Sequence, residues 1–170
     1  MVGRIYNVLF LCTGNSARSV IAESILNALG PGRFKAFSAG SHPAGKVNPY
    51  TIELLKRKGH PVDGIASKSW SVFENPGAPH MDMIITVCDN AAGEVCPVWP
   101  GKPMTAHWGF EDPAAFEGAP DAKSAKFNQI YVEILARVRL LVNLPVERLD
   151  KLTLQGQLRD IGKTTHDVGA

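Results

Sequence analysis

This sequence predicts one α/β domain: a parallel four-stranded sheet with helices on both faces. Three observations carry that expectation. Runs such as Val8-Leu9-Phe10-Leu11 and Met83-Ile84-Ile85-Thr86-Val87 are apolar without strict alternation, as strands buried on both faces are. These runs alternate with apolar stripes at helical spacing, the order that builds a parallel sheet. The chain has 170 residues, 45% apolar and 20% charged, which suits one ordinary domain. That domain is expected over 1–162, with 163–170 a flexible tail.

The elements follow in order. After the first apolar run, Cys12-Thr13-Gly14-Asn15-Ser16-Ala17-Arg18-Ser19 is a tight polar loop opening a helix near Ser19. Ile21, Ala22, Ile25, Leu26 and Leu29 stripe that helix, and Gly30-Pro31 stop it. Phe34 to Ser38 reads as the second strand. Asn48 caps the next helix with Pro49 at its first position, and Lys56-Arg57-Lys58-Gly59 close it. Asp82 to Val87 is the third strand, ending on Cys88, and Met104 to Trp108 the fourth. Phe127, Ile130, Tyr131, Ile134, Leu135, Val138, Leu141 and Val142 form the strongest helical stripe. A last helix is expected over 145–161, with Asn143 as cap and Gly162 as stop. Its leucines have two possible partners, this domain or a second chain.

Composition removes several classes of function. Net charge is +2 with both signs interspersed and no Lys/Arg block, so nucleic-acid binding has no electrostatic support. The longest apolar candidate, about Ile130 to Leu144, is broken by Glu133, Arg137 and Arg139, so no membrane span is expected. The start, MVGRIYNVLFLC, lacks a small-residue cleavage site and is too short and strand-like for a signal sequence. A cytoplasmic protein is expected, in which three cysteines are more readily catalytic or redox-active than stapled.

The Cys12–Ser19 loop holds the chemistry. Strand, tight loop and helix N-terminus together ring an anion with backbone N–H groups. Gly14 and Asn15 tolerate the positive φ that turns amides inward. Cys12 stands at the mouth, where the helix N-terminus and Arg18 both favour thiolate; such sites lower a thiol from about 8.5 to roughly 3.5–7.5. Ser19 brings a hydroxyl able to donate to that thiolate, and the planar fork of Arg18 suits a tetrahedral oxyanion. There is no G-x-x-x-x-G-K-[ST], so this is not an ATP-type loop. Cys88 ends one strand and Cys12 another; on one edge of a parallel sheet such ends lie side by side, so Cys88 can approach Cys12. Seven residues separate Cys88 from Cys96, wrong for a zinc knuckle but suited to a loop that closes into a disulfide after moving.

VLFLCTGNSARS resembles the loop of the low-molecular-weight tyrosine phosphatase family, and SAGSHPAGKVNPYTIELLKRKG and HWGFEDPAAFEG resemble its later segments. The resemblance runs from about Ile5 to Leu144 and extends to the arsenate reductases that share the fold. What it implies is a Cys12 nucleophile, oxyanion binding by Thr13 to Ser19 with Arg18, and Asp112 as general acid. Arsenate reductases of this kind use a cysteine pair such as Cys88 and Cys96; ordinary tyrosine phosphatases do not. Ala114 and Ala115 occupy places where those phosphatases carry ring-sandwiching aromatics, which disfavours a large aromatic ester. Asn15 and Glu23 match positions that brace the loop. The acidic residue expected near Ser67-Lys68-Ser69 is missing, so no metal or other cofactor is expected; Lys68 is left with two readings, a surface lysine or a support that approaches the anion instead. The resemblance thus implies arsenate as substrate, phosphate or sulfate as analogues, and thioredoxin or glutathione with glutaredoxin as thiol donor. The alternatives are a phosphatase of the same fold, needing only Cys12, Arg18 and Asp112, and a non-catalytic oxyanion or redox sensor.

Overall fold

The computed structural model describes residues 4–88 and 103–163. It contains strands β1 (Tyr6–Cys12), β2 (Phe34–Gly40), β3 (Met83–Thr86) and β4 (Met104–His107). The α-helices among the described residues are α1 (Arg18–Leu29), α2 (Pro49–Arg57), α3 (Pro120–Val142) and α4 (Lys151–Ile161). The strands form one parallel sheet of order β2-β1-β3-β4. The order reverses at β1, since β2 lies on one side of it and β3 on the other. The crevice beyond the carboxyl ends of β1 and β3 is therefore the topological switch point, where open α/β sheets bind ligands.

The apolar run of β1 is central because both its faces are covered. Tyr6, Val8, Phe10 and Cys12 join a large core with residues of all four helices. Leu9 and Leu11 join a smaller cluster with Ala39, Ile84, Met81 and Phe73, the last carried by a 3₁₀ turn over Trp70–Phe73. Helix α2 starts as its sequence dictates: the Asn48 side chain accepts from the Tyr50 amide and Pro49 takes the first turn.

Helix α3 begins at Pro120, ahead of its apolar stripe, because its first turns are largely solvent-facing and leave no buried period to read. The expected helix over 145–161 is shorter, starting at Lys151. Arg33 donates to the carbonyls of Val142 (2.6 Å) and Leu144 (2.9 Å), tying down the end of α3. Asn143 consequently caps that end and not the next helix. A turn closed by the Arg148 amide on Pro145 O (2.9 Å) follows, and Asp150 caps α4 by accepting from the Thr153 amide at 2.7 Å. Leu154, Leu158 and Ile161 are buried in the main core, so α4 packs on its own domain. Trp108 Nε1 donates to Leu158 O at 3.0 Å, and a Cβ on Gly162 would meet His107 O at 2.1 Å. Glycine at 162 is thus required by the close approach of the helix end to β4. No described helix is long and apolar enough to cross a membrane. Residues 164–170 of the expected tail lie outside the described residues.

Candidate active site

Three strand ends converge at the switch point. Leu11 pairs with Thr86, and the Val87 amide donates to Leu11 O at 2.9 Å, which sets Cys12 beside Val87-Cys88. On the other side of β3, Trp108 N bonds Thr86 O (2.7 Å) and Phe110 N bonds Val87 O (3.2 Å), carrying the Asp112 segment to the same edge.

The loop after Cys12 is held by its carbonyls. Cys12 O accepts from Ser41 N (3.3 Å), Thr13 O from His42 N (2.9 Å) and Gly14 O from Ala44 N (2.9 Å). Gly14 O also accepts from Ser67 Oγ at 2.9 Å, while Ser16 O takes bonds from Asn48 N (3.0 Å) and Thr51 Oγ1 (2.9 Å). In a trans peptide the next N–H points opposite to the carbonyl, so four outward carbonyls aim the amides of Thr13, Gly14, Asn15 and Ala17 the other way. Among the described residues, the amides of Gly14 to Ala17 find no protein acceptor. Ala17 offers α1 no side-chain cap, so the positive end of that helix also opens onto the loop.

Asn15 is the hub. It is fully buried, is the only described non-glycine residue at positive φ (49°), donates from Nδ2 to Ser19 Oγ at 2.8 Å and accepts at Oδ1 from Lys68 N at 2.9 Å. Gly14, expected to share the left-handed conformation, does not adopt it. Because Ser19 accepts from Asn15, its own hydroxyl proton remains to be donated.

Arg18 Nη1 donates to Phe110 O at 3.0 Å and Nη2 lies 3.7 Å from Asp112 Oδ2. Its Nε is buried without a hydrogen-bond partner among the described residues. A buried N–H without an acceptor is costly, and an oxyanion in the loop would relieve it. Asp112 is partly exposed and its Oδ1 caps the 3₁₀ turn Pro113–Ala115 by accepting from Ala114 N at 2.9 Å. One carboxyl oxygen is thus fixed while the other faces the guanidinium.

Cys12 and Cys88 are both buried and reduced. The neighbouring Cys88 thiol, then burial, push Cys12 up from its ordinary value; Arg18 and the Thr13 amide pull it down. The expected simple lowering at Cys12 is therefore overturned, and the cause is the neighbouring thiol. Two neighbouring thiols titrate as a pair: burial opposes loss of the first proton while Arg18 and the Thr13 amide favour it at Cys12, and the second is opposed by repulsion as well. Thr13 Oγ1 lies 3.5 Å from Cys88 Sγ and links that sulfur to the loop.

Two further residues flank the loop. Lys68 Nζ donates to Ala66 O at 3.3 Å and its charge acts on Glu23, while its backbone amide braces Asn15. Glu23 accepts from Ser38 Oγ at 2.5 Å, tying α1 to β2 beneath the loop, and burial pushes its carboxyl up. Cys96 lies outside the described residues. Sequence reasoning missed the Phe110 carbonyl, Thr51 and Ser67; contacts to backbone oxygens leave no residue pattern to find. Among the described residues no cluster of His, Cys, Asp and Glu could hold a metal ion.

Known proteins are similar to this chain in sequence and fold. An arsenate reductase of Halalkalibacterium halodurans is 35% identical over 132 residues, covering 78% of this chain and 91% of the relative. The crystal structure of an arsenate reductase from Archaeoglobus fulgidus superposes with a TM-score of 0.64 at 31% identity, covering 81% of this chain and 99% of that one. A thioredoxin-dependent arsenate reductase of Corynebacterium glutamicum gives 0.59 at 27%, covering 83% and 62%. The family model of low molecular weight phosphotyrosine protein phosphatases matches residues 7–154. With the loop, the switch-point sheet and that match together, the chain belongs to the low molecular weight phosphotyrosine protein phosphatase family.

Proposed function

We propose that the chain is an arsenate reductase that works through a relay of Cys12, Cys88 and Cys96. The observation that carries the reading is the placing of two buried, free thiols, Cys12 and Cys88, at neighbouring strand ends. Phosphate-ester hydrolysis ends when water attacks the Cys12 adduct and needs no second thiol; reduction does. Relatives named arsenate reductase support the same reading.

In the first step the Cys12 thiolate attacks arsenic(V) of an arsenate held by Arg18 and the loop amides. An As–O bond breaks and Asp112 supplies the proton with which that oxygen leaves as water. Once Cys12 is bonded to arsenic, its charge no longer opposes ionisation of Cys88. The Cys88 thiolate then attacks Cys12 Sγ; the S–S bond forms, the S–As electron pair stays on arsenic, and arsenite departs as arsenic(III). Cys96, assigned from sequence, attacks Cys88 and releases Cys12 as thiolate. The resulting Cys88–Cys96 disulfide is reduced by an external dithiol. Thioredoxin is the first candidate, since the Corynebacterium glutamicum relative is thioredoxin-dependent; glutathione with glutaredoxin is the second. A relay that must be re-reduced belongs in a reducing compartment, the cytoplasm. Ala114 and Ala115, exposed beside Asp112, offer no aromatic walls and suit a small inorganic oxyanion.

The test is arsenate-dependent oxidation of reduced thioredoxin, or of glutathione with glutaredoxin, by the purified chain and its Cys12→Ser variant. The wild type should consume one donor in proportion to arsenate, and the variant none. Hydrolysis of a small aryl phosphate with no arsenate-dependent oxidation of either donor would return the protein to the phosphatases.

A further inference from the structure

Arg137 lies in the second half of α3, far from Cys12 in sequence, and is buried to 4% exposure. Its Nη1 donates to Gly109 O at 3.0 Å and its guanidinium stacks 4.6 Å from the centre of the Phe110 ring. The next carbonyl, Phe110 O, is the one that fixes Arg18 at 3.0 Å, and Asp112 follows two residues later. One buried cation thus grips the short segment on which both the oxyanion arginine and the general acid depend. Lys126, also on α3, holds the far side of the segment: Nζ donates to Glu111 Oε2 at 2.6 Å and lies 5.8 Å from the Phe116 ring. Glu111 is well exposed, so that clamp is the weaker one.

Burying a guanidinium on a helix that otherwise presents Ile130, Ile134, Val138 and Leu141 to the core is expensive; an apolar side chain would serve packing better. Glu133, one turn earlier, supplies opposing charge but does not remove that cost. What the arginine adds is direction: a planar donor that sets the Gly109 carbonyl and the Phe110 ring at once. We propose that Arg137 is a positioning residue, orienting Arg18 through the Phe110 carbonyl and Asp112 through the Gly109–Asp112 backbone. This rests on the reading of the loop as an oxyanion site and, for turnover, on the reductase reading.

Arg137→Met keeps an unbranched apolar stem and removes the fork. Phosphate affinity, measured by calorimetry without turnover, should fall about tenfold, and kcat for arsenate reduction about a hundredfold, the scale expected when catalytic groups shift by about an ångström. In an Asp112→Asn background, Arg137→Met should cost only the roughly tenfold that travels through Arg18. Arg137→Lys, which retains charge and one donor for Gly109, should be intermediate, and it carries the test if the Met variant fails to fold. A cooperatively folded Met or Lys variant with phosphate affinity and kcat within twofold of wild type would overturn the proposal. So would equal fractional losses with and without Asp112, the mark of a purely structural role. If the wild type proves not to reduce arsenate, phosphate affinity still decides the case of Arg137.

Discussion

Gly40→Ala should damage the loop proposed to hold the oxyanion, although residue 40 lies outside that loop. Gly40 pairs with Cys12 at the end of β1, and a Cβ built there lies 2.4 Å from Thr13 O and 3.1 Å from both Asn15 N and Asn15 Cβ. Real Cβ atoms stay beyond 3.0 Å of such neighbours, and the obstacle is backbone, so it cannot rotate away. The Thr13 carbonyl must retreat by about 0.6 Å, swinging the Gly14 amide behind it; if an ångström costs about a hundredfold, this shift costs about tenfold. Overpacking of this kind destabilises by about 1–3 kcal/mol, which in a domain of this size lowers Tm by about 2–12 °C. Phosphate titration calorimetry and a thermal melt measure the two effects separately. A variant that melts early yet binds phosphate within twofold of wild type would refute the claim that the β1–β2 register shapes the cradle.

Other perturbations follow the same geometry. Asn15→Ala loses bonds to Ser19 and Lys68 and leaves alanine at positive φ, so it should cost about 2–3 kcal/mol by chemical denaturation. Asn15→Gly, free of the φ penalty, should recover about 1 kcal/mol of that. Cys88→Ala removes the leading cause that raises Cys12, so the pH dependence of Cys12 alkylation should move to lower pH; movement upward would contradict the paired titration. Glu23 is raised by burial, so its contribution to stability is full below the unfolded carboxyl value of 4.5 and is lost as pH rises through the folded value. Glu23→Gln lacks that loss: its Tm should gain on the wild type from pH 4.5 upward, and a constant difference would show that the carboxyl does not titrate as described.

The loop and its setting were legible because residue identity and pattern coincide there. An apolar run, a cysteine, Gly-Asn and an arginine at a helix start leave few arrangements open, and the rule for parallel strand ends is enough to put Cys88 near Cys12. What was not legible depended on contacts between distant residues. The ionisation of Cys12 is expected from Arg18 and the helix alone, and the neighbouring Cys88 thiol, from a distant strand, acts against it. Lys68 turned to a local carbonyl that composition does not reveal. The late start of α4 follows from Arg33 tying down carbonyls more than a hundred residues away. The grip of Arg137 on Gly109 is likewise a side-chain-to-backbone contact, which no spacing in the sequence announces.

The proposed relay is tested most directly by counting arsenite in a rapid-quench experiment on reduced protein without external donor, using Cys88→Ala and Cys96→Ala. Without Cys96 the Cys12–Cys88 disulfide should form once and stall, releasing about one arsenite per chain, with that disulfide recovered by non-reducing peptide mapping. Without Cys88 the proposed relay loses its second thiol, and little arsenite should appear, while both variants retain hydrolysis of a small aryl phosphate. Sustained turnover by both variants once thioredoxin or glutaredoxin is supplied would contradict the account.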